Sequence, residues 1–372
     1  MQTADVVIVG AGATGLAVGA TLKRHGITAV ILDRDDRVGG TWDRRYDRLH
    51  LHTVRRFSGL PYQGMPAALP RYVPTRTYAE YLRSYASNQG LEVRLGAPVS
   101  AIARAGPRWH TRVGDADLAM EIDSAVVIVA TGRHNVPRMP EWSGMDRFRG
   151  RVLHSHDYRS GRQFAGLRAL VVGIGNSGSE IATDLVEHGA ASVGIVVRTS
   201  PPITAREIAG IPVQLLGMFF KPFPAPFVDW LGRGLRRIGT GDLAPLGLGR
   251  EQWGPFVSRR PPVIDVGFLQ QLKVKRITVH PDVEAFTATG VGFTDGGSLD
   301  VDVVVAATGY TTGLPDIIDV PGALDERGYP VSESPLPGLY FAGFVESPRG
   351  QLYESARSAH RIARTISHQL TR

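Results

Sequence analysis

The 372-residue chain has no cysteine. That excludes a disulfide framework, a thiolate metal site and a CxxC redox relay, and no other metal site is expected. Lysine is almost as scarce, occurring only at 23, 221, 273 and 275, so arginine carries most of the basic charge behind the formal net +7. The arginines are scattered and belong to no recognisable nucleic-acid module, so nucleic acid is not an expected partner. A surface of this kind suits anionic small molecules. Long hydrophobic runs are also missing. The least polar stretch, Ile208 to Phe220, stops before Lys221 and is too short to span a bilayer. Asp5 interrupts the N-terminal run, so no signal peptide is expected and the cytoplasm is the default location.

The length is too great for one ordinary core, and two domains are expected. Residues 5–15, DVVIVGAGATG, give a short apolar run ending in glycine. Helical spacing follows, and then a second short run, AVILD (29–33). This is a β-α-β pattern. SAVVIVATG (124–132) reads as a later buried strand. The plan then restarts with RALVVGIGNSG (168–178), a helical segment and SVGIVVR (192–198), and VDVVVAATG (301–309) answers SAVVIVATG. The chain thus carries two copies of one nucleotide-binding plan, the second 163 residues after the first. GLYFAGF (338–344) and the helical segment after it are placed back on the first domain. The expected fold class is α/β: two Rossmann-like dinucleotide-binding domains, the second inserted in a discontinuous first domain. The expected boundaries are 1–150, 151–312 and 313–372. Residues 201–262, rich in proline, glycine and large apolar side chains, form an insertion in the second domain.

Each glycine motif follows a strand and opens a helix, which is the context that gives GxGxxG its meaning. The glycines let the backbone approach a pyrophosphate, and the helix N-terminus offers it free N–H groups. The residues just past the second strand separate the two cradles. Asp33 stands 23 positions after Gly10, and a carboxylate there accepts ribose hydroxyls and repels a 2′-phosphate. Arg198, 25 positions after Gly173, is followed by Thr199 and Ser200, a grouping that favours NADPH. Ala130-Thr131-Gly132 and Ala307-Thr308-Gly309 each end a strand where the chain would pass close to a nucleotide. Such a pair of sites implies hydride transfer from nicotinamide to flavin.

Between the cradles lies FRGRVLHSHDY (148–158). Here the sequence resembles the flavin-containing monooxygenases, whose fingerprint is FxGxxxHSxxY or a close variant. Finer features are similar to the YUCCA-type, auxin-forming branch: YDRLHLH (46–52), PPVIDVG (261–267) and RGQLYESARSAHRIA (349–363). The resemblance implies FAD, NADPH and O2 and delivery of one oxygen atom to a small organic substrate by way of a flavin C4a-(hydro)peroxide. The outcome would be N or S oxygenation, or oxidative decarboxylation of an aryl α-keto acid. It also implies residue roles. Gly10, Gly12, Ala13, Gly15, Asp33 and Arg34 would meet FAD, with Gly40, Thr41 and Trp42 bordering the flavin and Val99 the adenine. Ala130, Thr131 and Gly132 would lie along the same cofactor, and Gly343, Gln351 and Leu352 by the isoalloxazine. Gly173, Gly175, Asn176, Ser177, Gly178 and Glu180 would hold NADPH together with Arg198, Thr199 and Ser200. Thr308, Gly309 and Tyr310 would complete that site. His52 is the candidate catalytic residue, standing where many family members carry asparagine.

His154 is expected to fix the interdomain loop rather than to act as a base. His50 and His52 alternate with Leu49 and Leu51, which allows either a flavin contact or a polar strand face. Trp42, Tyr62, Phe219, Phe220 and Trp253 are candidates for an apolar pocket, and core packing alone would also explain them. The insertion is read as a substrate lid in preference to a membrane-surface helix. Two rival functions share these motifs: an NADPH oxidase or quinone reductase without oxygen insertion, and a non-enzymatic flavoprotein redox sensor.

Overall fold

The computed structural model describes residues 2–114, 119–347 and 349–370. The first apolar run forms β1 (Gln2–Val9), and its turn leads into α1 (Ala13–Arg24) and β2 (Ala29–Leu32). Val6, Val7, Ile8 and Val9 are all buried because both faces of the sheet are covered, which is why the strand reads as an unbroken apolar run. A four-residue helix, α2 (Gly40–Asp43), and the longer α3 (Thr75–Asn88) lead to β3 (Glu92–Arg94), β4 (Val99–Ala105), β5 (Arg108–Val113) and β6 (Met120–Val129). β1 pairs in parallel with β2 and β6, and β3 extends the edge beyond β2. β4 and β5 run antiparallel beside the first half of β6. Against the second half of β6 lies strand Leu339–Phe341, parallel and contributed from near the end of the chain. On one face α1 packs with α3 and the C-terminal helix Gln351–Leu370 through Leu16, Tyr78, Tyr85, Ala359 and Ile362.

Between these two pieces of one sheet lies a second unit. The short strand β7 (Val136–Pro137) enters it, followed by β8 (Arg151–His154), β9 (Arg168–Val172), α4 (Asn176–Glu187) and β10 (Ser192–Val196). Its five-stranded sheet is parallel, in the order Ile277–His280, β10, β9, Val303–Ala306, β8. The second unit is thus threaded into the first, and both are Rossmann-like. Where the chain leaves, Tyr310–Thr311 pairs antiparallel with β7, so the two interdomain connections cross as a short ribbon.

The 201–262 segment begins and ends on a parallel pair, Ile203–Ala205 with Val263–Asp265. Between them come a hairpin, Glu207–Ile208 with Ile211–Pro212, then α5 (Val213–Phe220) and α6 (Ala225–Thr240). The hairpin turn uses Ala209 and Gly210, both at positive φ, the conformation a two-residue turn needs to match strand twist. Buried Asp229 on α6 accepts the N–H groups of Phe256 and Val257 at 3.0 and 2.8 Å and so caps the short helix Pro255–Ser258. Phe219, Phe227, Trp230 and Ile238 remain on the outside. Among the described residues, no helix is long and apolar enough to cross a membrane.

Candidate active site between two dinucleotide cradles

The two glycine turns share their φ values and their closest contacts. Gly10 and Gly173 take φ of +110° and +108°, and a Cβ on either would come within 2.6 or 2.7 Å of the carbonyl oxygen of Ala130 or Ala307. The ATG runs are therefore the floors of the cradles. A Cβ on Gly15 or Gly178 would overlap the carbonyl oxygen of Gly10 or Gly173, so helix and strand can approach only as glycines. Gly12 and Gly175 differ: each has ordinary φ, and a Cβ added to either would meet nothing within 4 Å. They are the N-caps of α1 and α4, and neither helix has a side-chain cap. Two helices with uncapped N–H groups and open space before them suit two pyrophosphates. The residues present therefore fit both FAD and NADPH.

The second-strand residues differ as their charges imply. Asp33 is half-buried, and its oxygens accept from Ala11 N at 2.5 Å and Asp35 N at 2.9 Å. Each oxygen keeps a lone pair for a ribose hydroxyl. Burial raises its pKa, against the lowering effect of the two backbone bonds. Arg198 is 77% exposed and reaches only Asp282, at 4.0 Å. Thr199 is exposed beside it, whereas Ser200 is buried. Arg34 is exposed near the Asn135 carbonyl, and Val99 opens β4 with Ala97 N bonded to the Asp33 carbonyl at 2.8 Å. Gly343 sits at φ +84° directly against Thr14 of α1. Gln351 Nε2 donates to the Gly343 carbonyl at 2.5 Å, and Leu352 is buried. The start of the C-terminal helix is thereby fixed beside the first cradle.

The loop after α2 crosses from the first unit to the second. Tyr46 is buried in the second unit's core, edge-on to Tyr158 at 6.4 Å. Burial pushes its hydroxyl's pKa well up, so it stays protonated. His52 Nε2 lies 3.0 Å from Glu180 Oε1, and the carboxylate is buried. The angles do not make this a hydrogen bond, and both Glu180 Oε1 and His52 Nδ1 are buried without a hydrogen-bond partner. Buried polar atoms are nearly always paired, so this pair is open toward something else.

The fingerprint is mostly scaffolding. Tyr158 Oη and Gly161 N both donate to Asp184 Oδ2 at 2.7 Å. A Cβ on Gly150 would come within 2.6 Å of the Asp302 carbonyl oxygen. His154 is buried, with Nδ1 accepting from His156 N–H and Nε2 lying 3.0 Å from the Gly309 carbonyl oxygen. A carbonyl only accepts and an N–H only donates, so Nε2 carries the proton of a neutral ring. Burial lowers its pKa, consistent with that state. Tyr310 accepts from Arg45 at 2.9 Å and meets the His154 ring edge-on at 5.0 Å. Thr308 Oγ1 donates to the Arg138 carbonyl at 2.5 Å, while Thr131 Oγ1 is buried and unpartnered.

Other expectations need correction. His50 and His52 share no strand: His50 makes an isolated bridge to Pro74 and His52 lies in a bend. The expected aromatic pocket does not assemble. Trp42 packs edge-on to Tyr78 in the first core, Tyr62 is exposed against His360 and Arg24, and Phe219 is exposed beside Phe220 and Phe223. Sequence reasoning also missed Gln214. It is buried on α5, with Oε1 accepting from Val54 N at 2.9 Å and Nε2 donating to the Arg349 carbonyl at 2.6 Å. One amide thus pins the insertion to the two loops that flank His52 and the C-terminal helix. A lone glutamine in an apolar segment carries no signal of that role.

Residues 7–208 match the family model for pyridine nucleotide-disulphide oxidoreductases. The chain is 36% identical over 98% of its length to indole-3-pyruvate monooxygenase YUCCA1 of Oryza sativa subsp. japonica, covering 91% of that protein. Against indole-3-pyruvate monooxygenase YUCCA6 of Arabidopsis thaliana it is 35% identical, with 97% and 89% covered. The fold matches a solved flavin-containing monooxygenase from Stenotrophomonas maltophilia with a TM-score of 0.76 at 22% identity, each chain covered completely.

Proposed function

From the premise that the chain belongs to the YUCCA-type flavin-dependent monooxygenases, we propose that it converts an aryl α-keto acid to the acid one carbon shorter. The balance is R–CO–COOH + O2 + NADPH + H⁺ → R–COOH + CO2 + H2O + NADP⁺. One oxygen atom enters the product and the other leaves as water. The observation that carries this reading is the 36% identity, over nearly the whole chain, to a protein named for indole-3-pyruvate.

The cofactors are FAD and NADPH. Bound FAD supplies two-electron reduction by NADPH and activation of O2. The chain's own part is placement. We assign FAD to 1–150 with 313–372 and NADPH to 151–312. Gly12 and the N–H groups of α1 would hold the FAD pyrophosphate, and Asp33 its ribose. Gly175 and α4 would hold that of NADPH, with Arg198 on the 2′-phosphate. His52 and Glu180 would stand where the two sites meet, and His52 Nδ1, buried without a partner, would donate or accept at the reacting centre. The insertion, pinned by Gln214, would exclude water from that centre.

The test is product stoichiometry. The FAD-loaded enzyme, given NADPH, O2 and indole-3-pyruvate or phenylpyruvate, should release one CO2 per NADPH with little H2O2. Stoichiometric H2O2 with every keto acid, amine and sulfide tried would instead establish an NADPH oxidase.

A further inference from the structure

Among the described residues, Arg206 forms no salt bridge, although it is partly buried. It follows strand Ile203–Ala205 and precedes the hairpin, and its backbone carbonyl accepts from Val213 N at 3.0 Å where α5 begins. Its neighbours are held firmly. Glu207 takes Arg71 at 2.8 Å and the Tyr72 hydroxyl at 3.0 Å. The Arg206 side chain joins neither of these bonds. Its guanidinium lies over the Tyr72 ring, 4.5 Å from the centroid, and its Nε is buried without a hydrogen-bond partner. Burial lowers its pKa, and Glu180 provides the strongest opposing pull. That carboxylate lies 3.0 Å from His52 without a hydrogen bond to it, and it forms no ion pair with Arg206. Stacking on a ring uses the face of a guanidinium and leaves its in-plane N–H edge free, the edge that matches a carboxylate.

Three segments distant in sequence each carry an unpartnered buried polar atom: His52 Nδ1, Glu180 Oε1 and Arg206 Nε. Glu180 lies against His52, and Tyr72, the ring under Arg206, precedes Val73, whose carbonyl accepts from Leu51 N at 2.8 Å beside His52. Structural groups at this depth are paired in almost every protein. We infer that Arg206 binds the carboxylate of the substrate, making the 201–262 insertion the element that selects an organic acid over its neutral relatives. This rests on the function proposed above and adds to it the residue that sets the substrate's charge.

The test compares phenylpyruvate with its methyl ester, which has the same ring and keto group and no charge. Binding of both compounds to the FAD-loaded enzyme is measured by calorimetry, and KM and kcat for the acid by CO2 release. FAD content and far-UV circular dichroism establish that each variant is folded. Arg206→Gln should weaken the acid roughly 10- to 100-fold, the range for a lost charge-assisted hydrogen bond. The ester should change by less than about twofold. Arg206→Lys, which keeps the charge and loses the fork, should fall between and carries the test alone if the glutamine variant does not retain FAD. The loss should appear in KM. Equal losses for acid and ester, or an unchanged acid affinity, would overturn the assignment and leave the proposed reaction standing. A wild-type enzyme that binds neither compound would overturn both.

Discussion

Arg198→Ala should strip the enzyme of its preference for NADPH over NADH. The side chain is 77% exposed, and the Asp282 carboxylate stands 4.0 Å away, too far to hold the guanidinium in place. The group is therefore free to meet a 2′-phosphate, and removing it leaves no buried orphan. A hydrogen bond to a charged group is worth about 1.5–3 kcal/mol. Solvent screening at so exposed a position trims this to about 1–2 kcal/mol, or roughly 5- to 30-fold in affinity. The assay is flavin reduction under anaerobic conditions, followed by absorbance, with kcat/KM for NADPH and NADH measured side by side. NADPH should lose the full factor and NADH should keep its value, since it has no phosphate to lose. Asp282→Asn removes the competing carboxylate and should move NADPH slightly the other way. If Arg198→Ala lowered both dinucleotides equally, or left their ratio untouched, the assignment of charge to the second cradle would be wrong.

Gly12→Ala and Gly175→Ala should leave the fold intact, because an added methyl meets nothing within 4 Å. The first should yield folded, colourless protein and the second yellow protein that NADPH reduces poorly. Gly15→Ala should fail to fold, since its methyl would overlap the Gly10 carbonyl, and a well-folded Gly15→Ala would refute the packing argument. Gln214→Ala strands a backbone N–H and a backbone carbonyl, a local cost of roughly 2–4 kcal/mol. It should raise NADPH-driven H2O2 release without substrate, and an unchanged leak would show that the insertion covers nothing. His154 is held neutral, with a folded pKa below the ordinary histidine value. The unfolded chain takes the proton first, so stability is greatest above about pH 6.5 and declines as pH falls below it. His154→Gln should flatten that part of the Tm–pH curve relative to wild type.

How far the chain's sequence discloses the molecule depends on whether a feature is local. The glycine turns were legible because each lies within one strand–turn–helix: Gly10, Gly15, Gly173 and Gly178 have steric reasons that spacing expresses, while Gly12 and Gly175 leave the helix ends open. Asp33 and Arg198 follow at offsets set by the length of one helix. The return of strand Leu339–Phe341 to β6 was legible from its apolar pattern and its place after the second copy. Arg206 and Gln214 were not, because their roles exist only once the insertion folds back onto loops more than a hundred residues away in sequence. The aromatic pocket failed for the opposite reason. Residue type alone was asked to choose between core, surface and site, and Trp42, Tyr62 and Phe219 went to three different places.

Tyr46 belongs by sequence to the first half and by packing to the second, where its ring sits beside Tyr158. A fragment cut at residues 151 and 312 would lack that ring, leaving a hole in its centre of the kind that costs about 3–5 kcal/mol when an aromatic is deleted. The two units repeat one plan, yet the second draws a core ring from the first. Expressed alone, the nicotinamide half should be unstable, and a short peptide spanning residues 40–54 should partly restore it.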